Sequence, residues 1–297
     1  MSVSLVVNCY ERTYRQVLAP GYFPAIEQMN DRTFEQVLAL INNVDDPREA
    51  RDRAETLVDL GEISGFEFVS DWVPAAMQHW GLGQRHFRRR PYLLDYGLVM
   101  PLVASSEYIL GWDAETVLEE PADWVSPSLN LLKSDSRILH ASLNWPPARP
   151  QDAGVEGDAV ARVGDFLLSW GFSDQVFLVS REKMFAADLK TFSPAAIARH
   201  APHPYTFEFR MESYQRAHRK LRATYAPVRY RTNLQIAGVL DRTGKSRYEA
   251  FRTEALHRLE YHVTRRLPSW LGPRWARNAT VDQARSPQST APDGAGS

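Results

Sequence analysis

The chain has 297 residues, 44% of them hydrophobic, and a net charge of −1, enough for one large core with or without an extension. That near-neutral balance supplies no global field to recruit nucleic acid, and the single cysteine, Cys9, excludes an internal disulfide. No apolar run approaches the ~20 residues of a membrane-spanning helix, and residues 1–7 lack the basic start and long apolar stretch of a secretory leader, so the expected setting is the cytoplasm.

In chain order, Ser4 to Asn8 is a short β-branched run that reads as a central strand. Cys9 fits there as a small buried apolar residue. Val37 to Ile41 is a second strand. After Asn42-Asn43-Val44-Asp45-Asp46, Pro47 suits a first helical turn with Asp46 as its cap, the helix running from Arg48 to Leu60 and stopping at Gly61. Phe66 to Val69 is a third strand, Pro91 to Ala104 a buried helix, and Tyr108 to Leu110 the next strand. This alternation predicts an α/β fold with a mostly parallel sheet flanked by helices.

Asp123 to Lys133 reads as a helix and Ile138 to Leu143 as a strand. The Pro-rich stretch from Pro146 to Gly157 is a loop by composition. Val176 to Val179 is a strand preceded by the turn Phe172-Ser173-Asp174-Gln175, and Phe207 to Ala223 carries helical spacing. Tyr248 to Leu267 reads as a further helix in a C-terminal extension spanning residues 241–277. Residues 278–297 have the composition of a disordered tail.

The segment Tyr108-Ile-Leu-Gly-Trp-Asp-Ala-Glu-Thr-Val-Leu118 points to chemistry most sharply. An apolar run leads into Asp113 and Glu115, which emerge at the carboxyl end of a strand, where open α/β sheets bind ligands. Two hard oxygen ligands there suit a divalent cation set against a diphosphate. In an extended strand, residues two apart point the same way. The bland alternative is an acidic turn.

Taken in order, Leu5-Val-Val-Asn-Cys-Tyr-Glu-Arg12, Ile41-Asn-Asn-Val-Asp45, Pro91 to Ala104 with Asp95-Tyr96-Gly97, Tyr108 to Leu118, and Phe172-Ser-Asp-Gln175 resemble a nucleotide-sugar-dependent glycosyltransferase of the GT-A fold, similar to the large family-two-like inverting group. The resemblance covers about the first two-thirds of the chain. It implies a transferase domain over residues 1–240, with a donor half to about residue 120 and an acceptor half beyond. It implies transfer of a sugar from a nucleoside diphosphate to an acceptor hydroxyl, with inversion as the group's habit and Mn²⁺ or Mg²⁺ as cofactor. The metal motif of such enzymes is usually two Asp flanking one residue; here it is Asp113-Ala114-Glu115, one methylene longer at its second acid.

The resemblance assigns Asp113 and Glu115 to the metal, Glu11, Arg12, Asp45, Arg90 and Asp95 to the donor nucleotide, Asp174 to the catalytic base, and Trp170 and Phe172 to acceptor faces. Carboxylates suit the donor N–H and O–H groups of base and ribose, arginine suits phosphate, and a base must reach the attacking hydroxyl. Each has a structural alternative: loop pairs for Glu11 and Arg12, a solvated basic cluster for Arg85 to Arg90, an ion pair for Asp95, a turn cap for Asp174, and core packing for Trp170 and Phe172. His200, His203 and His218 are candidates for a third metal ligand. In residues 245–277, eight Lys/Arg face three Glu, with Trp270 and Trp275 alongside. The stretch reads as a helix docked through Leu256, Leu259 and Val263, or as a weak contact with an anionic membrane surface suited to a lipid-linked acceptor. Two further readings of the whole chain stand beside the transferase: a sugar-phosphate nucleotidyltransferase, against which the glycine-free Asn8-Cys9-Tyr10-Glu11 argues, and a non-catalytic relative that binds a carbohydrate or a partner.

Overall fold

The computed structural model describes residues 1–83, 86, 94–145, 159–193, 196 and 206–232. The first half contains β1 (Val3–Cys9), α1 (Tyr14–Val17), α2 (Tyr22–Met29), β2 (Gln36–Ile41), α3 (Pro47–Asp59), β3 (Gly65–Phe68), α4 (Val69–Trp80), α5 (Asp95–Val103), β4 (Tyr108–Asp113) and β5 (Thr116–Leu118). The second half contains α6 (Val125–Ser134), β6 (Ile138–Asn144), β7 (Ala159–Val163), β8 (Phe166–Ser169), β9 (Val176–Ser180), α7 (Arg181–Phe185), α8 (Phe207–Ala217) and β10 (Leu221–Thr232).

The expected α/β class is present. Among the described residues the strands form one sheet in the order β3-β2-β1-β4-β9-β6-β10-β8-β7, with β5 paired to β10. The block β3-β2-β1-β4 is parallel throughout. β9 runs antiparallel between β4 and β6, and β6 and β10 are parallel. Strand order reverses at β1, which has β2 on one side and β4 on the other, so the crevice at the carboxyl ends of β1 and β4 is the topological switch point.

Strand alternation sorts the core into two layers. Leu5, Val7 and Cys9 of β1, Ala39 and Ile41 of β2, and Leu110 and Trp112 of β4 pack with α1, α2, α3 and α6 on one face. Val6, Leu38, Leu40 and Ile109 pack with α4, α5 and α8 on the other. Burying a side chain of this size contributes roughly 1.5–3 kcal/mol. Continuing the alternation, Asn8, Asn42 and Asp113 leave their strands on the second face, beside the start of α5.

α3 forms as its sequence dictates. Asp46 accepts from the amides of Arg48 and Glu49 at 3.1 and 3.0 Å, and Pro47 sits in the first turn. Ala50, Ala54 and Leu57 turn inward, and the left-handed Gly61 (φ 72°) ends the helix. Two other glycines set the site. A Cβ on Gly97 of α5 would collide with the Phe207 ring of α8, and one on Gly111 of β4 with the Phe177 ring of β9. Their bare backbones let these elements close on one another.

Several boundaries differ from the sequence reading. The helix starting at Phe207 ends at Ala217, not Ala223; Arg219 turns the chain at φ 52°, and Leu221 to Ala223 join β10 beside β6. Val69 begins α4 rather than ending the third strand. Arg90, His200, His203, the Pro146 to Gly157 loop and the extension and tail beyond residue 240 lie outside the described residues. No helix among those described is long and apolar enough to cross a membrane.

Candidate functional site

Asp113 is the last residue of β4 and pairs in register with Asn8 of β1. Its Oδ1 accepts from the Glu115 amide at 2.8 Å, so residues 113–115 form a tight turn into β5 rather than a straight strand. The two acids are thus held together by the backbone of the turn, which corrects the expectation of parallel side chains on one extended segment. Glu115 Oε1 accepts from the Tyr10 hydroxyl at 2.6 Å, and the Tyr22 hydroxyl donates to the Ala114 carbonyl at 3.2 Å. Burial pushes the Asp113 carboxyl up to about 7; the Glu115 amide opposes this, and the charges of Glu115 and Glu208 add to it. Asn8 Oδ1 is buried without a hydrogen-bond partner among the described residues. An orphaned acceptor in register with a buried acid is a set of hard oxygens that fits a divalent cation. Among the described residues, no three His, Cys, Asp or Glu side chains converge on one metal-sized point.

The loops after β1 and β2 meet at the same end of the sheet. Glu11 Oε2 accepts from the Asp45 amide at 2.6 Å, and its Oε1 lies 3.6 Å from the Arg15 guanidinium. Arg12 and Asp45 are exposed on this rim. Asp95, by contrast, is only 7% exposed. Its Oδ1 accepts from Asn42 Nδ2 at 3.0 Å and from the Tyr96 amide at 2.7 Å, and burial pushes its carboxyl up to about 7. It ties the end of β2 to the start of α5.

The next residue reaches the second half of the sheet. The Tyr96 hydroxyl donates to Asp174 Oδ2, and the Asp174 amide donates to Glu208 Oε1 at 3.2 Å. Burial first, and then the Glu208 charge, holds the Asp174 carboxyl well above its ordinary range, while the Tyr96 hydrogen bond works in the opposite direction. Asp174 opens onto a cavity of about 290 Å³ lined by Trp145, Ser173, Asp174, Gln175, Glu208 and Tyr230. Gln175 joins the two acidic centres: its carbonyl accepts from the Asp113 amide at 2.7 Å, and its Oε1 accepts from the Tyr230 hydroxyl at 2.6 Å.

Two expected acceptor faces fare differently. Phe172 is fully buried against His140, Phe177 and Phe207, so it is a core residue and offers no face to a sugar. Trp170 is half-buried, with the Arg216 guanidinium 5.7 Å from its ring centre, and does not line the cavity. His218 is exposed at the far end of α8 and packs on Tyr214. Ten residues from Glu208 along a helix is about 15 Å, which takes it away from Asp113 as a ligand. Cys9 is buried, and its thiol is pushed far above its ordinary range, which rules it out as a nucleophile. Sequence reasoning missed Tyr96, Trp145, Glu208 and Tyr230. Trp145 follows directly on β6, so the strand-end rule that singled out Asp113 also picks it out.

No family model matches the chain, and no curated protein matches it. Solved structures with a comparable chain path include glucosyl-3-phosphoglycerate synthase from Mycobacterium tuberculosis in complex with Mn²⁺, uridine diphosphate and phosphoglyceric acid, at 12% identity and a TM-score of 0.43 over 90% of this chain and 79% of that one. The galactosyltransferase LgtC with donor and acceptor sugar analogues is similar at 15% identity and a TM-score of 0.40, over 71% of this chain and 69% of that one. A further mycobacterial protein is similar at 11% identity and a TM-score of 0.41, over 78% of this chain and 67% of that one. Similarity at this level describes a chain path and assigns no chemistry; that has to come from the residues at the crevice.

Proposed function

We propose that this chain is a glycosyltransferase that moves a sugar from a nucleoside diphosphate sugar to an acceptor hydroxyl, with inversion and with Mn²⁺ or Mg²⁺ as cofactor. The observation that carries this reading is the placement of two separate acidic centres at the switch point. Asp113 ends the strand beside Asn8, and Asp174 faces an adjoining cavity. One centre suits the departing diphosphate and the other the incoming hydroxyl.

In this reading, Glu11, Arg12 and Asp45 on the rim, together with Arg90, take the nucleotide, and Asp95 keeps α5 against that rim. Asp113, with Glu115 held by Tyr10, would hold the cation, which neutralises charge on the leaving diphosphate. Asp174 accepts the proton of the acceptor hydroxyl as that oxygen attacks the anomeric carbon from the side opposite the diphosphate. The new C–O bond forms as the bond to the diphosphate breaks, and the electron pair leaves with the diphosphate. Burial and the Glu208 charge push the Asp174 carboxyl upward, which makes it a stronger proton acceptor than an ordinary carboxylate. The acceptor is a carbohydrate or a lipid-linked sugar; with the latter, residues 245–277 would supply a membrane-surface contact to a cytoplasmic protein.

Calorimetry with UDP, GDP and dTDP, with and without Mn²⁺, tests the donor side. Cation-dependent binding of one nucleotide is expected, and Asp113→Ala should remove the cation dependence. Asp174→Asn should bind the nucleotide normally and transfer no sugar. Full transfer by that variant would reject Asp174 as the base. The Tyr10 bond to Glu115 favours one second reading, a non-catalytic relative, because it ties up an oxygen that the cation would need. Absence of binding by any nucleotide would favour that reading.

A further inference from the structure

We infer that Asn8 is a direct ligand of the cation, its side-chain oxygen meeting the ion beside Asp113, so that β1 and β4 supply one oxygen each. The assignment rests on the cation reading above and deepens it, adding a neutral carbonyl oxygen to a site otherwise made of acids.

β1 is built to be buried. Val3, Leu5, Val6, Val7 and Cys9 are 0% exposed. Ser4, a buried polar residue of the same strand, is satisfied: its hydroxyl donates to Gln36 Oε1 at 2.6 Å and accepts from the Ser106 amide at 3.2 Å. Asn8 breaks this rule. Its Oδ1 is buried and has no hydrogen-bond partner among the described residues, although buried side-chain acceptors are usually paired. Leucine has nearly the same shape and would fill the place without an orphaned oxygen. An oxygen kept where no described residue answers it points to a ligand that does. Asn8 as a whole is half-buried, so it borders the crevice at the end of the strand.

The neighbour decides the charge of that ligand. Asn8 and Asp113 are register partners on adjacent parallel strands, so their side chains leave the sheet on the same face, about 4.8 Å apart at the backbone. Two oxygens each ~2.0–2.6 Å from one ion lie roughly 3–5 Å from each other, which matches that spacing. The strand ends are held in place: the Asp113 amide donates to the Gln175 carbonyl at 2.7 Å, and the Asn42 amide to the Cys9 carbonyl at 2.8 Å. A water could answer Asn8 alone. With a carboxylate beside it, two negatively polarised oxygens face one another, and a positive charge between them relieves both. Amide carbonyls, like carboxylates, are ordinary ligands of hard divalent cations.

The test reads the ion directly. Mn²⁺ is titrated into the full chain by calorimetry and by water-proton relaxation, alone and with UDP, GDP and dTDP. Asn8→Leu should weaken Mn²⁺ binding by about ten-fold or more and admit a further water to the bound ion. Asn8→Asp should hold Mn²⁺ at least as tightly as the wild type. In the wild type, Mg²⁺ should shift the NMR signals of the Asn8 side-chain amide, a readout that stands even if a variant does not fold. A purely structural amide would change urea stability equally with and without Mn²⁺ and leave the relaxation of the bound ion as it was. Wild-type Mn²⁺ binding by Asn8→Leu, loss of it in Asn8→Asp, or an unshifted Asn8 amide would overturn the inference. Asp113→Ala is the reference: loss of Mn²⁺ there with wild-type binding in Asn8→Leu removes Asn8 and keeps the cation, whereas no Mn²⁺ binding by the wild type under any of these conditions removes both.

Discussion

Replacing Asp95 by Asn should change how stability depends on pH while leaving the local hydrogen bonds in place. The carboxylate's hydrogen bonds to Asn42 Nδ2 and to the Tyr96 amide both go to Oδ1, an acceptor that asparagine keeps. The substitution removes only the ionisation. In the folded chain the Asp95 carboxyl is pushed from 3.8 to about 7, chiefly by burial. A raised value in the folded state means that the native protein holds this proton more tightly than the unfolded chain does. The associated stability is complete below about pH 4 and is lost as pH rises to about 7. Three units at ~1.36 kcal/mol each set an upper bound of about 4 kcal/mol. Roughly half of that window lies between pH 5.5 and pH 8, so Asp95→Asn should gain up to about 2 kcal/mol on the wild type between those two values. Urea unfolding of both proteins at the two pH values measures the change from the midpoints, provided the slopes agree. A stability difference that stays constant across pH would refute the idea that Asp95 is a buried acid strained by ionisation.

Other expectations follow from the same contacts. Tyr96→Phe removes the hydrogen bond that lowers the Asp174 carboxyl, so the acid limb of the transfer pH profile should move to higher pH; an unmoved limb would count against Tyr96 as the residue positioning the base. Gly97→Ala places a methyl against Phe207 and should cost about 1–3 kcal/mol in urea unfolding. Gly111→Ala meets Phe177 in the same way and should lose a similar amount. Tyr10→Phe releases Glu115; if that oxygen serves the cation, Mn²⁺ dependence of nucleotide binding should change by several-fold in calorimetry, and an unchanged titration would separate Glu115 from the metal.

Legibility in the sequence followed the reach of each signal. β1, β2 and β4 declare themselves as apolar runs because both of their faces are buried, and Asp46-Pro47 declares a helix start because the cap is local. α4 was hidden by Pro74 within it and by a preceding strand that runs straight into it. β10 was hidden because Arg222, a buried arginine in a strand, reads as one more charge on a helix face. Phe172 misled for a related reason. An aromatic two residues from a candidate base suits a sugar platform or a core equally, and its contacts with Phe177 and Phe207 settle the choice. Glu208 looked like an ordinary acid in a helix's first turn, which it also is. Its contact is with Asp174, 34 residues earlier in the chain, a separation no local pattern encodes.

Asp95 and Tyr96 are consecutive residues at the start of α5, yet one grips the end of β2 and the other grips Asp174. Because Gly97 seats this same turn flush against Phe207, the two grips share a single rigid support. Any tilt of that turn would slacken both together, so the spacing between the end of β2 and the Asp174 carboxylate is set by one peptide's worth of backbone.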